Sequence, residues 1–161
     1  MSISSLATIS LLADIERSKR GSKLSVGDYS LIDSFVKIKF CGGSGDIKIG
    51  AHSYINSGCV LYSGNGLEIG NDVLLASNCT LAPVNHAYMS KNTVIREQGF
   101  LPSRGGIIIK DDCWIGANTV ILDGAIIGEG CVIGASSLVK TVLEPYGVYA
   151  GNPLKLIKVR G

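Results

Sequence analysis

Aliphatic residues recur at every sixth position through the C-terminal half of the chain. The series runs Ile109, Ile115, Ile121, Ile127, Ile133 and Val139. An α-helix repeats about every 3.6 residues and a strand every two, so an interval of six fits neither element alone. It is typical of a hexapeptide β-helix, in which three short segments make one coil and each segment points one aliphatic side chain inward.

Small residues accompany this series at a fixed distance. Four positions after successive aliphatic residues stand Cys113, Thr119, Ala125, Cys131 and Ser137. Only small side chains fit at the tight corners of a prism-shaped coil, behind a bulky inward residue. The same frame continues backwards through Ile69, Leu75 and Leu81, through Ile49, Ile55 and Leu61, and through Val26, Ile32 and Ile38. The pattern therefore predicts an all-β solenoid over most of the chain.

The six-residue frame breaks in three places. The breaks lie between Ile38 and Ile49, between Leu61 and Ile69, and between Leu81 and Ile109. The first two are rich in glycine and serine, which favours turns. The third is the longest, and long loops on rigid scaffolds usually carry function. We therefore predict an extended active-site loop over residues 84–106.

The two ends of the chain are predicted to lie outside the frame. Residues 5–19 combine helically spaced apolar positions with a serine suited to an N-cap, which predicts a short helix within residues 1–20. Such a helix would cap the open end of the solenoid. Residues 152–161 are predicted to form a basic tail after a final turn. The whole chain, 1–161, is interpreted as a single β-helix domain.

Composition limits the classes of function. Of 161 residues, 46% are hydrophobic and only 6% aromatic, which suits a narrow core of Ile, Val and Leu. A formal net charge of +2 and the lack of a basic, aromatic-rich stretch disfavour nucleic acid as a partner. No apolar run approaches the roughly 20 residues that span a bilayer, and no basic segment marks a signal peptide. We expect a cytoplasmic protein without stable membrane insertion.

The cysteines follow the same frame. Their number is five, and an odd number disfavours a complete disulfide framework. Cys113 and Cys131 are 18 residues apart, which is one full coil. Cys59 and Cys79 also occupy equivalent positions on neighbouring coils once an insertion of two residues near Asn65 is allowed for. We predict that these four are small, buried core residues. A metal site or redox pair is the alternative.

The two histidines occupy different positions in the frame. His52 follows an inward aliphatic residue by three positions, which predicts an exposed side chain on a regular coil. His86 stands where the regular coil stops and the long loop begins. A neutral imidazole near pH 7 can take a proton from a hydroxyl or an amine, so His86 is the candidate general base.

Several motifs together resemble a known family. They are the repeats, Asn85-His86 before the long loop, the segment from Asp112 to Ala117, and the closing Ala150-Gly151-Asn152-Pro153. Over about residues 47–160, the chain is similar to the hexapeptide-repeat acetyltransferases that use acetyl-CoA. Among these it most resembles the galactoside and maltose O-acetyltransferases and the enzymes that O-acetylate bacterial surface polysaccharides.

The resemblance implies a fold and an acceptor side of the active site. The fold is a left-handed parallel β-helix that assembles as a homotrimer, with acetyl-CoA and acceptor bound between neighbouring prisms. His86 corresponds to the catalytic base, and Asn85 and Trp114 lie in the acceptor region. Asn56 matches a residue that contacts the acceptor sugar, although a turn position in the coil explains an asparagine there equally well.

The resemblance also implies a coenzyme A side. The positions of Ala117 and Ala135 line the pantetheine groove, and the backbone N–H of Ala117 is the candidate donor to the oxyanion. Lys140 and Thr141 stand where the galactoside enzymes have threonine and lysine. Lys155 and Lys158 replace two arginines of the tail, which keeps the charge but loses bidentate phosphate geometry.

The remaining catalytic and acceptor contacts are less defined. Glu97, in the same loop as His86, is a candidate to orient the imidazole, and a backbone carbonyl is the alternative. The acidic residues that bind the galactoside glycone have no counterpart at Gly42 or Gly64. We therefore expect a sugar or polysaccharide acceptor whose identity the sequence does not define.

Alternative functions share this scaffold. One is N-acetylation of an amino sugar attached to a nucleotide, with the same base. Another is a non-catalytic scaffold, which gives no reason for a histidine at the root of the long loop. A zinc-dependent hydratase would need three histidine ligands, and the chain has two, so we expect no metal.

Overall fold

The computed structural model describes all residues, 1–161, and shows a left-handed parallel β-helix. Each coil contributes one short strand to each of three sheets, which form the faces of a triangular prism. The chain passes from face 1 to face 2 to face 3 and then begins the next coil. The all-β solenoid predicted from the repeat is thereby confirmed.

The strands are two to five residues long. Face 1 consists of β1 (Ser2–Ile3), β4 (Leu24–Val26), β7 (Ile47–Ile49), β10 (Leu67–Ile69), β13 (Ile107–Ile109), β16 (Ile126–Ile127) and β19 (Val142–Leu143). Face 2 consists of β2 (Thr8–Ile9), β5 (Leu31–Ile32), β8 (Tyr54–Ile55), β11 (Leu74–Leu75), β14 (Trp114–Ile115), β17 (Val132–Ile133), β20 (Gly147–Ala150) and β21 (Lys155–Val159). Face 3 consists of β3 (Asp14–Ile15), β6 (Lys37–Lys39), β9 (Val60–Tyr62), β12 (Thr80–Ala82), β15 (Val120–Leu122) and β18 (Leu138–Val139).

The core is a column of inward aliphatic side chains. Residues of the predicted frame such as Ile115, Ile121 and Ile127 are fully buried, and each stacks on the equivalent residue of the next coil. Corners need backbone that bends sharply, and several corner residues have positive φ, among them Asn118 at 58°. Asparagine tolerates this left-handed conformation better than most residues, so it can close the turn.

The four framed cysteines lie in the core, as predicted. Cys59, Cys79, Cys113 and Cys131 are buried, and each thiol lies within hydrogen-bond distance of a backbone carbonyl at a corner. Burial raises the pKa of the Cys113 thiol to about 12, because the thiolate would lose its hydration. These thiols act as small core residues. Cys41 is the exposed exception.

The breaks in the frame are excursions from the prism. Residues 40–46 and 63–66 connect face 3 to face 1 by short loops, and residues 83–106 form the long predicted excursion on the same edge. Its single regular element is a 3-10 helix, Ile95–Glu97. His52 is exposed at a corner and stacks on Tyr29 with ring centroids 5.1 Å apart, which agrees with its predicted surface position.

The predicted N-terminal helix is wrong. Residues 1–20 contain β1, β2 and β3, which form a first coil paired with the second coil. The Ser4 and Ser10 hydroxyls accept hydrogen bonds from the backbone N–H of Leu6 and Leu12, which closes turns instead of capping a helix. The second coil is thus covered by a further coil and not by a helix.

The C-terminal segment is more ordered than a tail. β21 folds back and pairs antiparallel with β20. Arg160 fixes its end through an ion pair with Asp112 at 3.1 Å and a hydrogen bond to the Gly130 carbonyl at 2.6 Å. No helix in the structure has the length and apolarity needed to cross a lipid bilayer.

Candidate active site

The long loop closes on itself at its root, where His86 lies. His86 and Phe100 form an antiparallel bridge. On either side, the Ala87 N–H donates to the Gly99 carbonyl at 3.0 Å, and the Leu101 N–H donates to the Asn85 carbonyl at 2.8 Å. Backbone pairing therefore holds the two arms of the long loop together at His86. The backbone of Asn85, the preceding residue, takes part in this pairing.

The His86 ring is exposed and lies against Phe100. The ring centroids are 4.7 Å apart and the planes are tilted by 37°. Phe100 is thus the one aromatic contact of the imidazole, and neither ring nitrogen makes a hydrogen bond within the protomer. Both nitrogens are free for an acceptor or for a group from another chain. This accessibility is what a general base requires.

His86 borders a cavity of about 380 Å³ on the edge between faces 3 and 1. Its walls come from three segments: the loop after β6, the outer side of β9 and β12, and the root of the long loop. The lining residues are Cys41, Gly42, Tyr62, Ala82, Val84, His86 and Phe100. None of the lining residues is Asp, Glu, Lys or Arg, and His86 is the one basic side chain among them.

Glu97 does not contact His86 in the structure. It ends the 3-10 helix, and its carboxylate lies 3.5 Å from the Arg96 guanidinium. The shape of the loop depends instead on Gln98, whose side chain accepts from the Ser90 N–H at 3.0 Å and donates to the Ser90 and Thr93 carbonyls. A role of Glu97 in orienting the imidazole remains a prediction.

Asp123 holds the returning arm of the loop, a role that sequence reasoning missed. Its buried carboxylate accepts from the Arg104 N–H at 2.7 Å, the Gly106 N–H at 3.0 Å and the Asn65 amide at 3.4 Å. The Arg104 guanidinium also donates to the Asp123 backbone carbonyl. The one sequence signal for this role is the Asp123-Gly124 pair at a corner of the frame, and such a pair is equally typical of an ordinary turn.

Asn56 and Trp114 lie away from the cavity. The Asn56 amide donates to the Leu75 carbonyl at 2.8 Å, so part of its hydrogen-bonding capacity serves the coil. Trp114 is 53% exposed on the outer side of face 2, between Leu74 and Val132. His86 is on the edge between faces 3 and 1, so a single protomer does not bring Trp114 to the histidine.

Ala117 and Ala135 stack on the edge between faces 2 and 3. The Ser136 N–H donates to the Ala117 carbonyl at 2.8 Å, whereas the N–H groups of Ala117 and Ala135 have no acceptor within the protomer. Both residues are at least partly exposed. Their small side chains leave these donors open to a ligand that runs along the edge.

The predicted phosphate-binding side chains lie at the C-terminal end of the prism. Lys140 and Thr141 are exposed in the turn between β18 and β19. Lys155 and Lys158 are exposed on β21, paired with Ala150 and Val148 of β20. None of the three lysines is in an ion pair, so all are available to an anionic ligand. The structure contains no group of three or more His, Cys, Asp or Glu side chains placed to hold a metal ion.

Comparison with known proteins agrees with this architecture. The family described as bacterial transferase hexapeptide (six repeats) matches residues 106–141. The galactoside O-acetyltransferase of Escherichia coli is 35% identical over 121 residues, which cover 75% of this chain and 57% of that protein. The chain belongs to the hexapeptide-repeat transferase family. This confirms the family inferred from the motifs.

Other proteins to which the chain is similar have names that indicate different acceptors or different acyl transfers. The chloramphenicol acetyltransferase of Agrobacterium fabrum is 44% identical over 62 residues, which cover 38% of this chain and 29% of that protein. This chain thus spans less than two thirds of either curated relative. A solved structure of a variant of AntD, an N-acyltransferase from Bacillus cereus in complex with dTDP and coenzyme A, matches 97% of this chain and 85% of that chain. The TM-score is 0.79 at 27% identity.

Proposed function

We propose that the protein transfers an acetyl group from acetyl-CoA to a hydroxyl of a sugar or of a surface-polysaccharide precursor. The observation that carries this proposal is the position of His86. It is an exposed histidine, free of internal hydrogen bonds, on the rim of a cavity whose wall includes the root of the long loop. A non-catalytic solenoid would not need this arrangement.

The chemistry follows from a single base. A His86 ring nitrogen takes the proton from the acceptor hydroxyl as that oxygen attacks the thioester carbon of acetyl-CoA. The tetrahedral intermediate then collapses, the carbon–sulfur bond breaks, and the proton passes to the departing CoA thiolate. No acyl-enzyme forms. The free N–H of Ala117 is the proposed donor to the oxyanion, where one such donor is worth about 3–4 kcal/mol.

Acetyl-CoA is proposed to lie along the edge between faces 2 and 3. The small side chains of Ala117 and Ala135 allow the pantetheine arm to approach the coils, and an amide carbonyl of that arm can accept a hydrogen bond from the free N–H of Ala135. Lys140, with Thr141, and the β21 lysines Lys155 and Lys158 are then placed to meet the phosphates. Lysine acts there as a point charge, so we expect strong dependence on ionic strength.

This arrangement needs more than one copy of the chain. His86 lies on one edge of face 3 and Ala117 on the other, so the base and the oxyanion donor of one protomer point away from each other. We propose a homotrimer in which each active site combines His86 of one protomer with Trp114 and Ala117 of its neighbour.

N-acetylation of a nucleotide-linked amino sugar is the second candidate. The similarity to AntD over 97% of this chain favours it, because that enzyme is an N-acyltransferase crystallised with dTDP. The same base and thioester geometry would serve an amine. An acceptor panel that includes neutral sugars, amino sugars and a nucleotide-linked amino sugar separates the two.

The decisive experiment compares His86→Ala with His52→Ala. Both histidines are exposed, but His52 is at a corner remote from the cavity and stacks on Tyr29. We expect His86→Ala to lower acceptor-dependent release of free CoA by roughly 100-fold or more, since general base catalysis contributes about 10²–10⁴. His52→Ala should stay within about twofold of wild type. Equal turnover by the two variants would overturn the role of His86.

A further inference from the structure

The cavity beside His86 is apolar, which is unexpected for a site that receives a sugar. Five of its seven lining residues are hydrophobic, with Tyr62, Val84 and Phe100 as the largest. Its volume of about 380 Å³ is at the low end of the ~300–1,000 Å³ of ligand pockets, which suits one small ring. The ligand must therefore present apolar surface close to the reacting group.

The polar groups that face this cavity are few and uncharged. Besides the His86 imidazole they are the Tyr62 phenol and the Cys41 thiol, and the phenol makes no hydrogen bond within the protomer. Lys39, the register partner of Tyr62 on the preceding coil, has its ammonium bound to Asp14 at 3.1 Å and Glu16 at 2.9 Å. The cavity thus offers places for one or two hydroxyls and none for a charge.

Side chains that could add polar contacts are excluded by close packing. A Cβ atom at Gly42 would lie 2.6 Å from Cγ1 of Val84, and φ at Gly42 is +76°. A Cβ atom at Gly64 would lie 2.7 Å from the Pro83 carbonyl oxygen. Both glycines are required for the loops to pack against the root of the long loop. Val84 consequently stays uncovered as part of the cavity wall.

We propose that this cavity binds an apolar substituent of a neutral acceptor, such as the methyl group of a 6-deoxy sugar, next to the hydroxyl that faces His86. The proposal rests on the proposed function, because it specifies the acceptor of the same site. A hydroxymethyl group in that place would lose its hydration against Val84 and Phe100 without finding a partner.

The first test uses acceptor pairs that differ only in this group. Methyl D-fucoside and methyl D-galactoside are one pair, and methyl 6-deoxyglucoside and methyl glucoside are another. We expect the deoxy member to have a higher kcat/KM by roughly 10- to 100-fold, the discrimination that an apolar pocket achieves against an added hydroxyl. Equal use of both members, or preference for the hydroxymethyl sugar, would overturn the proposal.

Val84→Thr probes the wall directly, because threonine keeps the shape of valine and adds a hydroxyl. We expect the preference for the deoxy sugar to shrink by about threefold or more, since the new hydroxyl can pair with that of the hydroxymethyl sugar. Val142→Thr is the matched control, as Val142 is exposed on face 1. A preference that changes equally in both variants would contradict the role of Val84.

A binding measurement that needs no turnover separates this proposal from the proposed function. Cys41 lines the cavity and is the exposed cysteine, whereas the other four are buried, so a maleimide should label it selectively. Partial burial raises the pKa of the Cys41 thiol, so labelling is best followed at mildly alkaline pH. Wild-type protein without acetyl-CoA is labelled in the presence of each sugar.

The outcomes are distinct. We expect the deoxy sugars to slow the labelling of Cys41 at concentrations where their hydroxymethyl partners do not. If they do so but no acceptor stimulates CoA release, the proposed function fails and the apolar site stands. If acceptors stimulate CoA release without preference and protect Cys41 equally, the apolar site is wrong and the proposed function stands.

Discussion

Two residues hold the ends of the long excursion, and they do so by different means. His86 pairs through its backbone with Phe100, which closes the outgoing arm. Asp123 binds the returning arm through its side chain, which accepts from the N–H groups of Arg104 and Gly106. A buried carboxylate is stable when hydrogen bonds replace its lost hydration. Asp123 is therefore a positioning residue for the loop that carries His86.

Asp123→Asn tests this role with almost no change in shape. The substitution replaces one carboxylate oxygen with an NH₂ group, which then faces a backbone N–H. A buried hydrogen bond is lost and two donors oppose each other. We expect the free energy of unfolding to fall by about 1–3 kcal/mol and proteolysis within residues 84–106 to accelerate. Urea unfolding at fixed protomer concentration measures the first effect, and limited trypsin digestion the second.

Asp72→Asn serves as the control for that substitution. Asp72 is exposed, makes no side-chain hydrogen bond and has a φ of 55°, which asparagine tolerates. Its replacement should change stability by at most about 0.5 kcal/mol. If Asp123→Asn has an equally small effect and leaves the loop equally resistant to trypsin, the carboxylate does not hold the loop.

The role of a single residue could be predicted from the sequence only where the six-residue repeat determines it. The core positions of Cys113 and Cys131 follow from the repeat, and the candidacy of His86 follows from its place at the end of the repeat. The role of Asp123 depends on partners 17 to 58 residues away, which no local period encodes. Likewise, the free N–H of Ala117 becomes visible only once the corner is built.

At the level of elements, the first coil shows how two periods can be confused. Its apolar residues fit a short amphipathic helix, but Ile3, Ile9 and Ile15 also repeat every six residues. Over 15 residues, both periods match. Pairing with β4, β5 and β6 decides for strands, because the second coil offers unpaired backbone groups that a helix would leave unsatisfied.

The loss in free energy of unfolding on truncating a core side chain should depend on the position of its coil along the prism. Ile115 is fully buried between neighbours on both sides, whereas Ile9 is half-buried in the first coil. We expect Ile115→Ala to lower the free energy of unfolding by about 2–5 kcal/mol. Ile9→Ala should cost about 1–2 kcal/mol, because less apolar area is involved.

Chemical unfolding of both variants at equal protomer concentration measures the difference, since assembly also contributes to apparent stability. Equal losses would mean that the first coil is packed as tightly as an internal one. That result would require a covering partner on the outer side of β1, β2 and β3.

The whole molecule places its candidate groups on separate surfaces. Face 2 presents Trp114, the edge between faces 2 and 3 presents Ala117, and the edge between faces 3 and 1 presents His86. The repeat determines on which face each residue lies, so this distribution was predictable in principle. Which surfaces meet depends on the association of protomers, and the repeat carries no information about that step. A homotrimer of the 16.9 kDa chain would bring the two edges of face 3 together.

Mixed trimers test whether the site is shared. Ala117→Pro removes the free N–H, and proline is favoured at the turn position before a residue with positive φ, here Asn118 at 58°. We expect this variant and His86→Ala to be nearly inactive when pure. In trimers from equal co-expression, about a quarter of the sites combine an intact His86 with an intact Ala117 of a neighbour, so about 25% of wild-type activity should return. If both groups act within one protomer, mixing restores nothing, and the shared site is wrong.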